Sequence, residues 1–248
     1  MMEPDPEFIM VMEEIIRKNN IRSVFESGTY LGTGSTETLA KLFVENNKKP
    51  EKFITVETNL DYFIKAKKNL AKYNFIKPVF GLSVDYLEAV KFLVNDRIFE
   101  NLDKYEEIYI DHLSNPQHYY LKEIMIGVVQ EGLEKSTQKK NISFFSSGKK
   151  ETIEFKNNVL SDFCCDLYHE SSLIVLDSAA GIGFYEFNQV NQLMYNREYY
   201  LVLDDIEHLK HFRSREYIET HSEEYNIISQ SKEAGWLIAK SHRKKNVN

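Results

Sequence analysis

The sequence predicts an α/β protein with a doubly wound, mostly parallel sheet of seven strands. Short apolar runs typical of buried strands alternate with stretches in which apolar residues recur at helical spacing. A glycine-rich turn follows the first apolar run, and several later runs end in a carboxylate. Because parallel strands need crossover connections, this alternation indicates right-handed βαβ units. We expect a single domain over residues 1–248.

The predicted elements follow one another at short intervals. Pro78 lies in the third apolar run and indicates an edge strand, since proline cannot donate a ladder hydrogen bond. Asn59 is a suitable N-cap for the helix after the second run. Strands are predicted at 21–25, 52–57, 77–81, 172–177 and 199–205, with a closing hairpin of 225–229 and 236–239. Helices are predicted over 7–19, from the glycine turn to about 46, and over 60–70, 84–93, 159–168, 186–193 and 212–220.

The regular alternation breaks between the third and fourth core strands. Residues 96–152 contain a candidate strand at 105–110, a helical pattern at 116–133 and a polar, turn-rich stretch at 138–150. This segment is too short and too poor in apolar residues for an independent domain. We predict that it is an insertion that serves as a lid or as a homodimer contact.

Composition narrows the classes of partner. The net charge of -7 disfavours nucleic acid, because neutralisation of phosphates supplies most non-specific affinity. No apolar run is long enough to span a membrane, and the acidic start lacks the features of a signal peptide. The two cysteines, Cys164 and Cys165, are adjacent and unsuited to a bridge. We therefore predict a cytoplasmic protein with reduced thiols that acts on a small molecule.

Carboxylates gather at the ends of the predicted strands. In a parallel sheet these ends share one edge, and ligands bind in the crevice outside it. One such acid alone often caps the next helix, but four ends beside a glycine turn favour a ligand site. The acids are Glu26, Glu57, Asp177 and the pair Asp204 and Asp205.

The glycine turn itself is a weak signal. Its spacing, Gly28-x-x-x-Gly32-x-Gly34, differs from the G-x-G-x-x-G fingerprint of dinucleotide-binding proteins, which disfavours NAD. A carboxylate at the end of the first strand, Glu26, suits an ammonium or a ribose hydroxyl better than a phosphate. Glu57 also suits ribose, because an ionised carboxylate can accept two hydrogen bonds from a diol.

With these features in view, the chain resembles the class I S-adenosylmethionine-dependent methyltransferases. It is most similar to their catechol O-methyltransferase-like and cephalosporin-hydroxylase-like branch. The turn that begins at Glu26 resembles motif I, with one residue more before Ser35 than that pattern has. Residues 55–59 resemble the motif whose acid holds ribose, and 81–83 resemble the segment beside the adenine. The resemblance covers about 20–95 and 155–240.

The resemblance implies a Rossmann-like fold and S-adenosylmethionine as the cofactor. Each residue of this chain that matches a motif position is expected to have the role of that position in the family. The implied cofactor-binding residues are Glu26, Gly28, Tyr30, Gly32, Ser35, Glu57 and Ser83.

The same resemblance implies a divalent cation, with Mg²⁺ as the candidate. Asp177, Asp204 and Asp205 stand where the branch holds its metal, and carboxylate oxygens are hard ligands that suit Mg²⁺. Such an ion would bind a substrate hydroxyl and lower its pKa, which gives Asp177 a catalytic role. Catechol-type enzymes carry a lysine base three residues later, where this chain has Ala180. His208 is our predicted catalytic residue in its place, with His211 as a second candidate. The roles open to either are general base, metal ligand and substrate contact.

We therefore predict an S-adenosylmethionine-dependent methyltransferase that methylates an oxygen of a small molecule, with Mg²⁺ assistance left open. The missing lysine favours one alternative, a non-catalytic S-adenosylmethionine-binding or assembly protein. Another alternative is an NAD- or nucleotide-sugar-dependent Rossmann enzyme, which the glycine spacing disfavours. The basic stretch 210–215 either receives an anionic substrate group or is a solvated helix start.

Overall fold

A computed structural model describes residues 5–136, 153–167, 171–178 and 181–242. Its sheet has the strand order β3-β2-β1-β4-β5-β7-β6. The strands are β1 (Ser23–Ser27), β2 (Lys52–Glu57), β3 (Ile76–Phe80), β4 (Ser172–Leu176), β5 (Tyr199–Asp204), β6 (Tyr225–Ser231) and β7 (Trp236–Ser241). The helices are α1 (Pro6–Lys18), α2 (Ser35–Glu45), α3 (Leu60–Leu70), α4 (Tyr86–Asn95), α5 (Pro116–Ser136), α6 (Val159–Cys165), α7 (Gly183–Leu193) and α8 (Phe212–Thr220).

The sheet confirms the predicted doubly wound, mostly parallel, Rossmann-like architecture. Strands β1 to β5 pair in parallel, and β7 enters antiparallel between β5 and β6. The chain winds outward from β1 to β3 and then returns to place β4 on the other side of β1. The order reverses there, so a crevice opens beyond the carboxyl ends of β1 and β4. β3, which contains Pro78, lies at the edge as predicted.

Both faces of the sheet are covered by apolar side chains, which explains why its central strands read as continuous apolar runs. Alternate residues of β4 show this most clearly. Leu173 and Val175 pack on one face with residues of α1 and α2. Ile174 and Leu176 pack on the other face with residues of α4 to α8. The carboxyl edge of the sheet is therefore the part of these strands that remains open to a ligand.

The segment 96–152 differs in part from the prediction. The predicted helix is present as α5, and Gln117 Nε2 donates to the Leu93 carbonyl of α4 at 2.8 Å. The candidate strand 105–110 is not a strand, since only an isolated bridge joins Tyr109 to His208. The polar stretch 138–150 lies outside the described residues, and the lid or dimer role stays a prediction.

Several element boundaries differ from the predicted ones. β1 starts at Ser23 and runs to Ser27, so Glu26 lies inside the strand and not after it. α6 ends at Cys165, and the predicted last residue of that helix, Tyr168, lies outside the described part of the chain. Within the described residues, none of the helices combines the length and the apolar character that a membrane crossing requires.

Candidate functional site

A cavity of about 750 Å³ lies at the carboxyl edge of the parallel strands. Residues at and beyond the carboxyl ends of β1, β2 and β3 form one part of its lining: Gly28, Tyr30, Glu57, Asn59, Tyr62 and Ser83. Residues from the segment after α4 and from the loops after β4 and β5 form the other part: Tyr109, Asp111, Tyr119, Glu123, Asp177, Asp205, His208 and Lys210. The predicted ligand edge and this cavity are therefore the same place.

The turn after β1 has a backbone that only glycine adopts easily. Gly28 has φ of 84°, and its backbone N–H donates to the Val56 carbonyl at 3.0 Å. A Cβ at this position would lie 2.1 Å from the carbonyl oxygen of Asp177. The turn is thus pressed between β2 and the end of β4. The motif glycine is explained by this close approach of backbone to backbone.

Glu26 holds the turn from behind the cavity and is fully buried. Its carboxylate accepts hydrogen bonds from Ser35 Oγ at 2.7 Å, Thr36 Oγ1 at 2.6 Å and Thr55 Oγ1 at 2.7 Å. These partners lie at the start of α2 and on β2, so Glu26 ties three elements together. The favourable effect of a helix N-terminus on a nearby anion adds to this. The geometry favours a positioning role over the predicted direct contact with a cofactor.

Glu57 lies in the cavity wall and is anchored by backbone. Its Oε2 accepts from the N–H of Tyr30 at 2.7 Å, and its Oε1 accepts from the N–H of Asn59 at 2.8 Å. Each carboxylate oxygen can accept a further hydrogen bond. The Tyr30 ring packs edge-on against Tyr62 at 4.6 Å between ring centroids. A fixed acceptor therefore faces the cavity beside an aromatic pair.

Burial affects the protonation of these acids. Removal from water raises the pKa of Glu26 to about 7, and it raises the pKa of Glu57 to about 7 as well. The folded protein therefore holds protons that the unfolded chain loses near pH 4.5. The stability associated with these protons is complete below that value and is lost as the pH rises through about 7.

We expect the Glu26→Gln variant to lose less stability than the wild type as the pH rises from about 5 to about 7.5. Each buried acid contributes a slope of up to about 1.4 kcal/mol per pH unit, and glutamine removes the contribution of Glu26. Urea unfolding at a series of pH values measures the difference. Parallel curves for the two proteins would contradict the assigned ionisation.

A further buried acid, Glu186 of α7, lies behind the cavity lining. It accepts from Ser27 Oγ at 3.3 Å, from Ser178 Oγ at 2.5 Å and from the hydroxyl of Ser83. All three serines line the cavity, and burial raises the pKa of Glu186 to about 7. Glu186 was not among the predicted site residues. In the sequence it lies within a predicted helix, and nothing in that pattern predicts its contacts with serines at the ends of three different strands.

The predicted metal ligands do come together. One oxygen from each of Asp177, Asp204 and Asp205 lies within 4.8 Å of the others. The Lys210 ammonium already lies among them, 2.9 Å from Asp177 Oδ1 and 2.7 Å from Asp205 Oδ2. Lys210 itself is only 5% exposed. The residues in this arrangement do not fit a divalent ion, because the lysine holds two of the three carboxylates.

The three acids share their charge unevenly. Burial, reinforced by the neighbouring Asp177 carboxylate, raises the pKa of Asp204 well above its ordinary value. Burial acts on Asp205 in the same direction, but attraction to the Lys210 ammonium outweighs it and lowers the pKa. The Asp204 carboxyl therefore retains a proton more readily than that of Asp205. Asp177 and Asp205 are the two acids that contact the lysine.

His208 lies in the cavity wall with both ring nitrogens engaged. Its Nδ1 accepts from the backbone N–H of Lys210 at 3.1 Å, so the proton of a neutral ring lies on Nε2. Nε2 lies 2.9 Å from Asp111 Oδ2. Burial lowers the pKa of His208, although Asp111 opposes the shift. The ring thus orients Asp111 and has no nitrogen lone pair left for a substrate proton.

The remaining basic residues of 210–215 are engaged inside the protein. His211 is fully buried and does not line the cavity, and burial lowers its pKa well below the ordinary value. Arg213 pairs with Asp96 through two hydrogen bonds of 3.0 and 2.6 Å, and Arg215 pairs with Glu207. Neither predicted role of this stretch, anion receptor or solvated helix start, matches these contacts.

The structure places seven of the predicted site residues in the cavity lining: Gly28, Tyr30, Glu57, Ser83, Asp177, Asp205 and His208. Glu26, Gly32, Ser35 and Asp204 are not part of that lining. Gly32 instead packs against α3, where a Cβ would come within 2.9 Å of the Leu70 side chain. Asp111 and Lys210 were not predicted as site residues. Ala180 lies outside the described residues.

No family model and no curated protein matches this sequence. Solved structures similar to the chain include the O-methyltransferase from Bacillus cereus in complex with SAH (12% identity, covering 96% of this chain and 81% of that one, TM-score 0.48). Another is the O-methyltransferase TomG from Streptomyces achromogenes, involved in tomaymycin synthesis, in complex with SAM (12% identity, 96% and 81% covered, TM-score 0.46). A third is an rRNA methylase from Streptococcus thermophilus (9% identity, 98% of each chain covered, TM-score 0.41). These likenesses are weak, so any function of this chain depends on the residues of its own cavity.

Proposed function

We propose that this protein is an S-adenosylmethionine-dependent methyltransferase that methylates an oxygen of a small molecule. The observation that carries the proposal is the anchored carboxylate of Glu57 at the cavity surface, next to the turn at Gly28. It offers a fixed acceptor for a ribose diol, beside backbone that a ligand can approach closely. The glycine spacing, which lacks the G-x-G-x-x-G fingerprint, disfavours NAD and nucleotide sugars as ligands.

The rest of the cavity suits an acceptor molecule. Its volume is that of a small-molecule site, and the aromatic rings of Tyr109 and Tyr119 lie among acidic groups. The net charge of -7 and this acidic lining disfavour an RNA substrate. Methyl transfer is an in-line displacement, so holding donor and acceptor in line is the main contribution of the protein.

The proton of an acceptor hydroxyl requires a base in the same cavity. We assign this role to Asp111, whose side chain is 30% exposed and which His208 orients. The bridge between Tyr109 and His208 fixes the pair, since Tyr109 N–H donates to the Glu207 carbonyl and Leu209 N–H donates to the Tyr109 carbonyl, both at 2.9 Å. His208 remains part of the proposed machinery as a positioning residue.

Assistance by Mg²⁺ is the weakest part of the family resemblance. When bound, such an ion would supply Lewis-acid activation of the acceptor hydroxyl. Two of the three acids that would hold it, Asp177 and Asp205, are already paired with Lys210. This pairing favours methyl transfer in which Asp111 accepts the proton and His208 orients Asp111.

Ligand binding tests the proposed function directly. We expect S-adenosylmethionine and S-adenosylhomocysteine to raise the thermal midpoint, whereas NAD and UDP-glucose leave it unchanged. Incubation of the protein and labelled S-adenosylmethionine with a panel of phenols and aliphatic alcohols then measures transfer. A shift with NAD and none with either adenosyl ligand would refute the proposal. Adenosyl binding without transfer to any acceptor would favour the non-catalytic alternative.

We expect the Asp111→Asn variant to lower kcat by about 10²–10⁴-fold, which is the usual contribution of a general base. Because Asp111 is not among the residues proposed to hold the cofactor, the affinity for S-adenosylhomocysteine should stay the same. The exposed Asp103 lies in the same segment, so Asp103→Asn is a matched control. An Asp111→Asn variant with the wild-type kcat would remove Asp111 from the mechanism.

A further inference from the structure

The cation of the acidic trio is already present in the chain. The trio consists of Asp177, Asp204 and Asp205, and Lys210 places its ammonium between the first and the last of them. The lysine side chain is 6% exposed and that of Asp177 is 1% exposed. A buried charge of this kind persists only when it is paired and hydrogen-bonded. The contacts of Lys210 satisfy this condition without any external ion.

A divalent ion would compete with the lysine for the same oxygens. Mg²⁺ binds carboxylate oxygens at about 2.0–2.1 Å and tolerates little departure from octahedral geometry. An ion held by Asp177 and Asp205 would therefore lie very near an ammonium that is within 2.9 Å of both residues. Two cations at that separation repel strongly in a buried site.

The backbone keeps the lysine in this position. The N–H of Lys210 donates to His208 Nδ1 at 3.1 Å, and the N–H of His208 donates to the Asp205 carbonyl at 2.9 Å. The turn 205–210 therefore brings the Lys210 side chain back to Asp205. Asp205 has φ of 55°, a strained value for a non-glycine residue, and such strain is tolerated where the surroundings hold it. The lysine is consequently directed into the trio by the same turn that presents His208.

We propose that Lys210 is a built-in replacement for the divalent cation, so that this site works without a metal. The lysine pairs with Asp177 and Asp205 of the cavity lining and holds Asp177 beneath the turn at Gly28. This inference rests on the proposed function, since it states which group neutralises the carboxylates of that site. It concerns metal binding alone, however, and it can fail while the proposed function stands.

Metal binding by the wild type and by Lys210→Met tests this proposal. Methionine keeps the approximate length of lysine and removes the charge. We expect the wild type to bind no Mn²⁺ stoichiometrically at sub-millimolar concentration, as measured by electron paramagnetic resonance. Its S-adenosylhomocysteine affinity should be unchanged by EDTA. We expect Lys210→Met to bind Mn²⁺ about tenfold more tightly or better, and Mg²⁺ to raise its thermal midpoint.

Two further variants make the test specific. Adding Asp177→Asn to Lys210→Met should abolish the gained Mn²⁺ binding, which locates the ion at the trio. Lys210→Arg keeps the positive charge and should remain unresponsive to metal. A folded Lys210→Met variant that gains no Mn²⁺ affinity would overturn the proposal.

The wild type provides a separate test if Lys210→Met does not fold. If the wild type binds Mn²⁺ stoichiometrically and Asp205→Asn does not, the proposal is overturned. If the wild type binds no Mn²⁺, the proposal is supported. The affinity of the same samples for S-adenosylhomocysteine reports on the proposed function. A metal-binding wild type that also binds the adenosyl ligand would refute only the role of Lys210.

Discussion

The Gly28→Ala variant is expected to lose about 3–5 kcal/mol of folding free energy and all measurable affinity for S-adenosylhomocysteine. Two costs add at this residue. Alanine is strained at φ of 84°, and its Cβ would lie 2.1 Å from the carbonyl oxygen of Asp177. The obstructing atom belongs to backbone at the end of β4, which cannot turn aside as a side chain can. Relief would move the turn away from β4 and distort the cavity wall. Urea unfolding and ligand titration measure both losses.

Gly235 provides a matched control for the backbone cost alone. Its φ of 78° is close to that of Gly28, but the nearest atoms to an added Cβ are 3.8 Å away. Gly235→Ala should therefore lose only the strain, about 1–2 kcal/mol. If both variants lose the same stability, the close approach at Gly28 has no special cost and the explanation of the motif glycine is wrong.

The architecture was largely predictable because its signals are local. Alternating apolar runs, an edge proline and the N-cap at Asn59 each report on a short stretch of chain. The candidate strand at 105–110 shows the limit of such signals. Ile110 is buried and Tyr105 and Ile108 pack partly against the core, but Tyr109 is exposed and forms only an isolated bridge. Whether a segment pairs as a strand depends on residues distant in sequence, so the local pattern of 105–110 does not determine it.

The site was less predictable, because its decisive contacts join residues far apart in sequence. Lys210 and Asp177 are 33 residues apart, and His208 and Asp111 are 97 apart. Motif spacing predicted that Glu57 and Gly28 share one edge of the sheet, and both residues line the cavity there. The spacing did not indicate that the Glu26 side chain would accept hydrogen bonds from three hydroxyl groups behind that cavity. The position of an acid at a strand end predicts only that it lies at the carboxyl edge of the sheet. Contacts with residues distant in sequence determine whether its carboxylate faces the cavity.

The Glu57→Gln variant is expected to bind S-adenosylhomocysteine about 10–100-fold more weakly, because a hydrogen bond to a charged group is worth about 1.5–3 kcal/mol. Glutamine retains one oxygen and replaces the other with a donor. In either orientation the new amide faces a backbone N–H, that of Tyr30 or that of Asn59. The variant therefore loses an anchor of the turn as well as an acceptor for a ribose hydroxyl. Glu51→Gln is the matched control, since Glu51 is exposed and distant from the cavity lining.

Dependence on pH distinguishes this role of Glu57 from a merely structural one. Burial raises its pKa to about 7, and a diol that donates hydrogen bonds prefers the ionised carboxylate. In the wild type, the affinity for S-adenosylhomocysteine should therefore increase as the pH rises through about 7 and level off above it. Glu57→Gln should lack this increase, because glutamine does not titrate. Isothermal titration calorimetry at a series of pH values measures both profiles. An identical pH profile in the two proteins would exclude Glu57 as the ribose acceptor, and with it the observation on which the proposed cofactor rests.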